Sequence, residues 1–478
     1  MRAGGPRTQG FVRASSVRAR AADPGFGYHR RMAPARVFLV HGWSVQETTT
    51  YRGLHKALAA HGFDLRTIHL SRYVSLESDI EIRDIARAMH RALEEQLGPA
   101  WDEPFHIVTH STGALVARHW IARHYTGRFA SKKPLRNIVF LAPPHFGSRL
   151  AHHGRSMLAQ VAWRGETGRI VLTALELGSS FCWDLTDAWL DPATWRDKGI
   201  RPYCLTGDRV VKKLFASRIF PAAYEPGSDM VVRAPAANLN VARFTLTSGG
   251  GPKLERRGGI EGVPFAALDE YTHSGPGHGI MNSVTADATP ERHRALRLIL
   301  ECLGVRTEAG YAAAGALLDK ETRRTRRKRP AYAQLDLRIR DEDGRPVEDF
   351  VFKLGAVVKG RRLPSKTVAH IHRNKESANH LTAYLTMKQL EPQYTYFIEI
   401  DTAPPSDLFR YTPDPFIVEA PERRITEVIR EDRTTQVDIV LSREPGRNLF
   451  VLHRGDDPDL HVRWDRRGSV TKKRLPDA

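Results

Sequence analysis

Apolar residues in this chain first gather in short unbroken runs. The segment Arg36-Val37-Phe38-Leu39-Val40-His41 ends at Gly42-Trp43, the pattern of a strand buried on both faces. Helical spacing follows over 50–61, at Tyr51, Leu54, Leu58 and Ala59, and then a second strand is predicted over Leu65–Leu70. A longer helix is predicted from Ile80 to Leu97, with Ile85, Met89, Leu93 and Leu97 on one face. Phe105–Thr109 reads as a strand that runs without a break into His110-Ser111-Thr112-Gly113 and then into a helix beginning Ala114-Leu115-Val116-Ala117-Arg118. Another buried strand, Leu135–Ala142, is closed by Pro143-Pro144-His145-Phe146-Gly147-Ser148. Strand and helix in alternation predict a parallel sheet flanked by helices, an α/β fold.

Residues 149–199 break that rhythm. They carry helical patches at Met157–Val161 and Ile170–Leu177, with the aromatics Trp163, Phe181, Trp183, Trp189 and Trp195, and read as a lid or cap insertion. Further strands are predicted at 202–206 and 242–247, and a last helix from Pro290 to Leu303 with proline in its first turn. After residue 330 the period changes to two: Leu335, Leu337 and Ile339 alternate with polar residues, as do Tyr394, Tyr396, Ile398 and Ile400, and again Val437, Ile439 and Leu441. With Asp343-Gly344 as a turn signal, this predicts an all-β sandwich. Between the two patterns, six of the seven residues from Arg323 to Arg329 are basic and Pro330 follows, so 306–330 reads as a solvated basic linker. The expected division is a disordered basic leader over 1–31, an α/β catalytic domain over 32–305, the linker, and the sandwich over 331–478.

Composition sharpens this only in part. Of 478 residues, 41% are hydrophobic and 27% charged, enough for a sizeable core. Lys and Arg number 73 against 54 Asp and Glu, a formal charge of +19, which favours anionic surfaces. No run of about 18 apolar residues occurs, which excludes a transmembrane helix. Three cysteines far apart, Cys182, Cys204 and Cys302, argue against a thiolate zinc site or a disulfide scaffold. Residues 1–31 hold seven Arg and one acid, Asp23, without an apolar signal core. They read as a disordered leader or as sequence ahead of a true start at Met32. The expected location is the cytoplasm, with export without a cleaved signal as the alternative. No RRM, zinc or P-loop pattern supports specific nucleic-acid recognition.

The chemistry gathers at Thr109-His110-Ser111-Thr112-Gly113. A serine on a strand-to-helix turn needs small neighbours for the backbone to close, and its hydroxyl then projects above the sheet edge at a helix N-terminus. The N–H of Thr112 is placed to stabilise an oxyanion, and a second donor is expected from Trp43 after the first strand. His41 reads as a loop histidine bonded to backbone.

On the strand-HGW loop, the THSTG-ALVAR elbow and the APPHFGS segment, the chain resembles the α/β-hydrolases, and among them the bacterial lipases and lipase-like esterases, over Arg36–Val305. The resemblance implies the order serine, acid, histidine. Its acid turn D-G-x-V is matched by Asp229-Met230-Val231-Val232 with Met for Gly, which favours Asp229. Asp208, directly after a strand, is the alternative. Its histidine loop is matched by His278-Gly279-Ile280-Met281, which favours His278. His273 is the alternative, otherwise a lid or surface residue. His110 is expected to fill the elbow, and His145 to line the cleft without titrating.

The resemblance thus implies a serine ester hydrolase of lipase or phospholipase kind, with Ser111, Asp229 and His278 as triad, Trp43 and Thr112 as oxyanion hole, an acyl-enzyme, and no metal or organic cofactor. Acyltransferase or amidase chemistry with the same triad is an alternative, as is a non-catalytic scaffold. The expected partner is a lipid or other acyl ester, with peripheral contact to anionic membrane through the sandwich and the Arg-rich surface.

Overall fold

The computed structural model describes residues 35–40, 52–68, 80–152, 169–211, 224–404, 408–420 and 425–446, and the backbone of 460–464 and 470–474. The leader, the His41–Trp43 loop and the stretch around Trp163 lie outside the described residues.

Val37 to Val40 of β1 (Arg36–Val40) are all buried, as a strand with both faces covered must be. It pairs in parallel with β2 (Asp64–Ile68) on one side and β3 (Phe105–His110) on the other. β4 (Leu135–Leu141) and β5 (Arg201–Gly207) extend the sheet in the same sense. The next two strands, β6 (Val241–Thr247) and β7 (Lys253–Ile260), leave this sheet, and the sixth place is taken by β8 (Phe265–Leu268). The order is β2-β1-β3-β4-β5-β8, parallel throughout.

Helices cover both faces. α2 (Ile82–Leu97) follows α1 (Arg52–Ala60) and buries Ile82, Ile85, Ala86, Met89, Ala92, Leu93 and Leu97, one stripe at helical spacing. Its stripe meets α3 (Gly113–Arg123) and α4 (Ser180–Leu190) in a core on one side of the sheet. α5 (Arg294–Gly304) joins α1 and α6 (Glu308–Arg326) in the core on the other side. Among the described residues no helix is long and apolar enough to cross a membrane.

The expected sandwich is present. One sheet has the order β11-β10-β14-β16, formed by β10 (Phe350–Val358), β11 (Arg361–Pro364), β14 (Thr395–Thr402) and β16 (Phe416–Ala420). The other contains β9 (Tyr332–Asp341), β12 (Val368–Arg373), β13 (His380–Thr386) and β17 (Thr434–Pro445), with β15 (Phe409–Thr412) paired to β17. Their inner faces enclose a separate core. This second sheet does not end within the C-terminal segment. β17 pairs in parallel with β6, which pairs with β7. The strand at 242–247 therefore exists but belongs to the sandwich, where Phe244 and Leu246 join its core.

The segment expected as a solvated linker is helix α6. The sequence Glu308-Ala-Gly-Tyr-Ala-Ala-Ala-Gly-Ala-Leu-Leu is rich in alanine and leucine. Thr307 caps it by accepting from Gly310 N at 3.1 Å, and the Arg-rich last turn complements the helix dipole. Arg326 does not stay in solvent but binds the buried carboxylates of Asp208 and Asp432. Of the described aromatics of the expected lid, Trp183, Trp189 and Trp195 are core residues and Phe181 is half-buried against the core. Trp189 and Trp195 stack, and Arg118 lies 5.1 Å above the Trp189 ring.

Candidate active site

Ser111 stands at the turn from β3 to α3 with φ of +54°, in the left-handed region that a non-glycine residue enters only when its surroundings hold it there. Its N–H donates to Leu141 O at 2.9 Å, tying the elbow to β4. The hydroxyl therefore projects from the carboxyl end of the central strands. Thr112 is the first residue of helical conformation, so its N–H belongs to the helix start, where intrahelical acceptors are lacking. Trp43, the expected second donor, lies outside the described residues.

Ser111 Oγ is 3.0 Å from His273 Nε2, and His273 Nδ1 is 2.9 Å from Asp229 Oδ2. A carboxylate only accepts, so Nδ1 carries the proton and Nε2 is left to accept from the serine hydroxyl. Asp229 is fully buried, and its other oxygen accepts from Val231 N at 3.0 Å and Val232 N at 2.7 Å. The Asp229-Met-Val-Val turn closes through Asp229 N to Val232 O, and its carbonyl accepts from His273 N at 2.8 Å. Acid and histidine are thus joined by main chain as well as by side chain. Met230, at the position of the motif's glycine, has φ of +81°.

The histidine loop follows the four-residue strand β8. Thr272 N donates to His278 O, and Ile280 N to Thr272 O, both at 2.9 Å. This pairing turns His273 inward. His278, favoured from the HGIM pattern, is exposed, and it braces the loop with its carbonyl. His273, the alternative, occupies the place beside Ser111. Asp208 is not brought there either. Arg326 holds its buried carboxylate, whose pKa is raised by burial against the pull of that guanidinium. Gly207 explains the tight fit behind the acid: a Cβ there would stand 2.1 Å from Tyr271 O and 3.0 Å from the Asp229 Cβ.

Two other histidines complete the picture. His110 fills the elbow as expected and also reaches the His273 carbonyl at 3.0 Å through Nε2. A carbonyl only accepts, so that nitrogen is the donor. His145 does not line a cleft. It is fully buried with Nε2 3.5 Å from Cys204 Sγ, and burial, helped by Arg118, drives its pKa well below the ordinary imidazole range.

No protein-family model matches the chain, and no curated protein does. Among solved structures, the phospholipase PlaB from Legionella pneumophila is similar over 93% of this chain and 100% of its own, at 26% identity and a TM-score of 0.80. The same protein in complex with thio-NAD matches over 92% and 100%, with the same identity and score. The chain has the α/β-hydrolase fold and is an ester-bond hydrolase. A weaker likeness, to Aspergillus fumigatus lipase B at 15% identity over 62% of this chain and 63% of that one, has a TM-score of 0.32 and carries no argument.

In this hydrolase, the residues that sequence patterns missed are those that brace the acid turn from outside the α/β sheet. Arg233 grips Glu225 through Nε at 2.7 Å and Nη2 at 2.9 Å. Burial alone would raise the Glu225 carboxyl, but Arg233 and then Arg149 hold it below its ordinary value. Tyr384, from β13 of the sandwich, donates toward Pro226 O and Gly227 O. No local motif marks either residue, because Tyr384 reaches the turn from 157 and 158 residues further along the chain and Arg233 links that turn to His370, 137 residues away.

Proposed function

We propose that this hydrolase cleaves carboxylic esters of lipids, phospholipids among them, through Ser111, His273 and Asp229 and an acyl-enzyme. The observation that carries the reading is the unbroken relay from the Ser111 hydroxyl through the His273 ring to the buried Asp229 carboxylate. His273 Nε2 takes the hydroxyl proton as Oγ attacks the ester carbonyl, and Asp229 orients the ring and stabilises the imidazolium. The tetrahedral oxyanion forms beside Thr112 N–H, with Trp43 N–H as the second donor. Collapse of that intermediate breaks the ester C–O bond, and the imidazolium gives its proton to the leaving alcohol. Water, deprotonated by His273, then attacks the acyl carbonyl, and Ser111 leaves with the proton returned to it. Likeness over 93% of the chain to a phospholipase supports phospholipid as substrate, and a net charge of +19 suits approach to an anionic bilayer.

A fluorophosphonate probe on the folded protein tests the nucleophile: the wild type should be labelled and Ser111→Ala should not. Incubation with phosphatidylglycerol and phosphatidylcholine vesicles should release free fatty acid from the wild type only. A folded wild type that neither reacts with the probe nor releases fatty acid rejects the proposal.

A further inference from the structure

We propose that Tyr384, on β13 of the sandwich, is a positioning residue for ester hydrolysis, its hydroxyl and ring holding the 225–233 turn so that Asp229 stays on His273. This rests on the triad reading above and adds to it a role for the C-terminal lobe. The turn is gripped at two points. Tyr384 OH lies 2.9 Å from Pro226 O and 3.1 Å from Gly227 O, two residues before the acid. Arg233, four residues after the acid, spreads its guanidinium 4.1 Å above the Tyr384 ring, and its Nη2 also donates to His370 Nδ1 on β12 at 3.2 Å.

The fit leaves no slack. Gly227 has φ of +76°, and a Cβ there would stand 2.3 Å from Tyr384 OH and from Tyr332 Cδ2. Tyr332 and Tyr384 are stacked with centroids 4.6 Å apart and planes 8° from parallel. The backbone carrying the acid therefore lies flat on an aromatic platform built by β9 and β13. Downstream, the same segment is tied to the sandwich again, by Asn238 Nδ2 to Asp432 O at 2.7 Å and Thr434 Oγ1 to Pro235 O at 3.0 Å. The α/β side holds the turn by Ser148 Oγ to Val231 O at 2.5 Å and by His273 N to Asp229 O at 2.8 Å. Loss of the tyrosine hydroxyl takes the donor from Pro226 O and leaves Gly227 O to Ala234 N alone, at 2.9 Å, so the turn is freer to shift, and small displacements of a catalytic group are costly to rate.

The test compares wild type and Tyr384→Phe, which keeps the ring and removes the hydroxyl, in fluorophosphonate labelling rate across pH and in steady-state ester hydrolysis. The expected result is a fall of about 10-fold in labelling rate and in kcat, with KM unchanged. The rise of rate with pH should also move to lower pH. An imidazolium that loses its carboxylate counter-charge releases its proton more readily, and the neutral ring is the active base. A side chain that merely stabilised the fold would lower the melting temperature and leave the pH profile in place. His370→Ala, which withdraws one partner of Arg233 from a half-buried site, should give the same changes in smaller degree and decides the matter where Tyr384→Phe does not fold. A wild type that is labelled, with variants matching its rate and pH profile, overturns this inference alone. A wild type that is not labelled overturns the triad reading and this inference with it.

Discussion

Met230 is held at φ of +81° between the acid and the two N–H groups that bind it. A left-handed non-glycine residue costs of order 1–3 kcal/mol, partly offset in a glycine variant by the greater freedom of the unfolded chain. Met230→Gly is therefore expected to raise stability by about 1 kcal/mol while activity is kept, read as a higher midpoint in thermal unfolding. An unchanged or lower midpoint would mean that the packing of the Met230 side chain outweighs the strain. The two histidine candidates separate as sharply. His273→Ala should lower turnover at least about 10³-fold, whereas His278→Ala, altering an exposed ring, should stay near wild type. Asp229→Asn should lose on the order of 10⁴-fold, and Asp208→Asn should affect stability rather than the chemical step. Sequence patterns placed Ser111 and Asp229 because each sits in a turn whose local geometry leaves a mark, the elbow and the D-x-x-V hairpin. They favoured His278 because the HGIM string is the more family-like, whereas what brings His273 beside Ser111 is the bridge between Thr272 and Gly279, a pairing that composition does not reveal.

At the scale of elements, strand β8 shows why part of the site was hidden. Its four residues, Phe265-Ala266-Ala267-Leu268, are too few for a periodic signal, so the longer strand β6 appeared to be the one preceding the histidine. Helix α6 was hidden for a different reason: a dense basic run predicts solvation unless buried acids lie elsewhere to receive it. Here Arg326 binds Asp432 through Nε and Nη2, both at 2.7 Å, and also binds Asp208. Both carboxylates have pKa values raised by burial, with Arg326 pulling the other way. Raised folded values mean that these groups favour the fold most below the unfolded carboxylate pKa of about 4, and that this support fades as pH climbs through the raised values. Arg326→Met removes the opposing pull and leaves two buried acids unpaired. The expected loss is about 3–5 kcal/mol near neutrality. It should be larger at pH 8 than at pH 5 when denaturant midpoints are compared, and equal losses at the two pH values would contradict the ion-pair account.

At the scale of the molecule, the two folds that the sequence pattern separates are woven together. Residues 35–478 form one compact unit, and the reason is topological: β6 and β7 emerge from the α/β half and are completed by β17 in parallel register, Val437 opposite Phe244. Period-two alternation marks a strand but not its sheet, which is why a boundary near residue 306 looked natural. Removing residues 331–478 would strip β6 of that neighbour, expose Phe244 and Leu246, which belong to the sandwich core, and withdraw the aromatic platform beneath Gly227. An unpaired, apolar strand edge is also an aggregation template. The truncated chain 32–330 is therefore expected to lack a cooperative unfolding transition and to fail in fluorophosphonate labelling, while the full chain unfolds in a single transition by both circular dichroism and tryptophan fluorescence. Two separated transitions in the full chain, or a soluble and labelled truncated domain, would show that the α/β half closes its own fold without the shared sheet. If the single transition is found, the acid turn is a joint product of both lobes, and substitutions in the sandwich that loosen β9 or β13 should reduce turnover in proportion to how far they release the 225–238 segment.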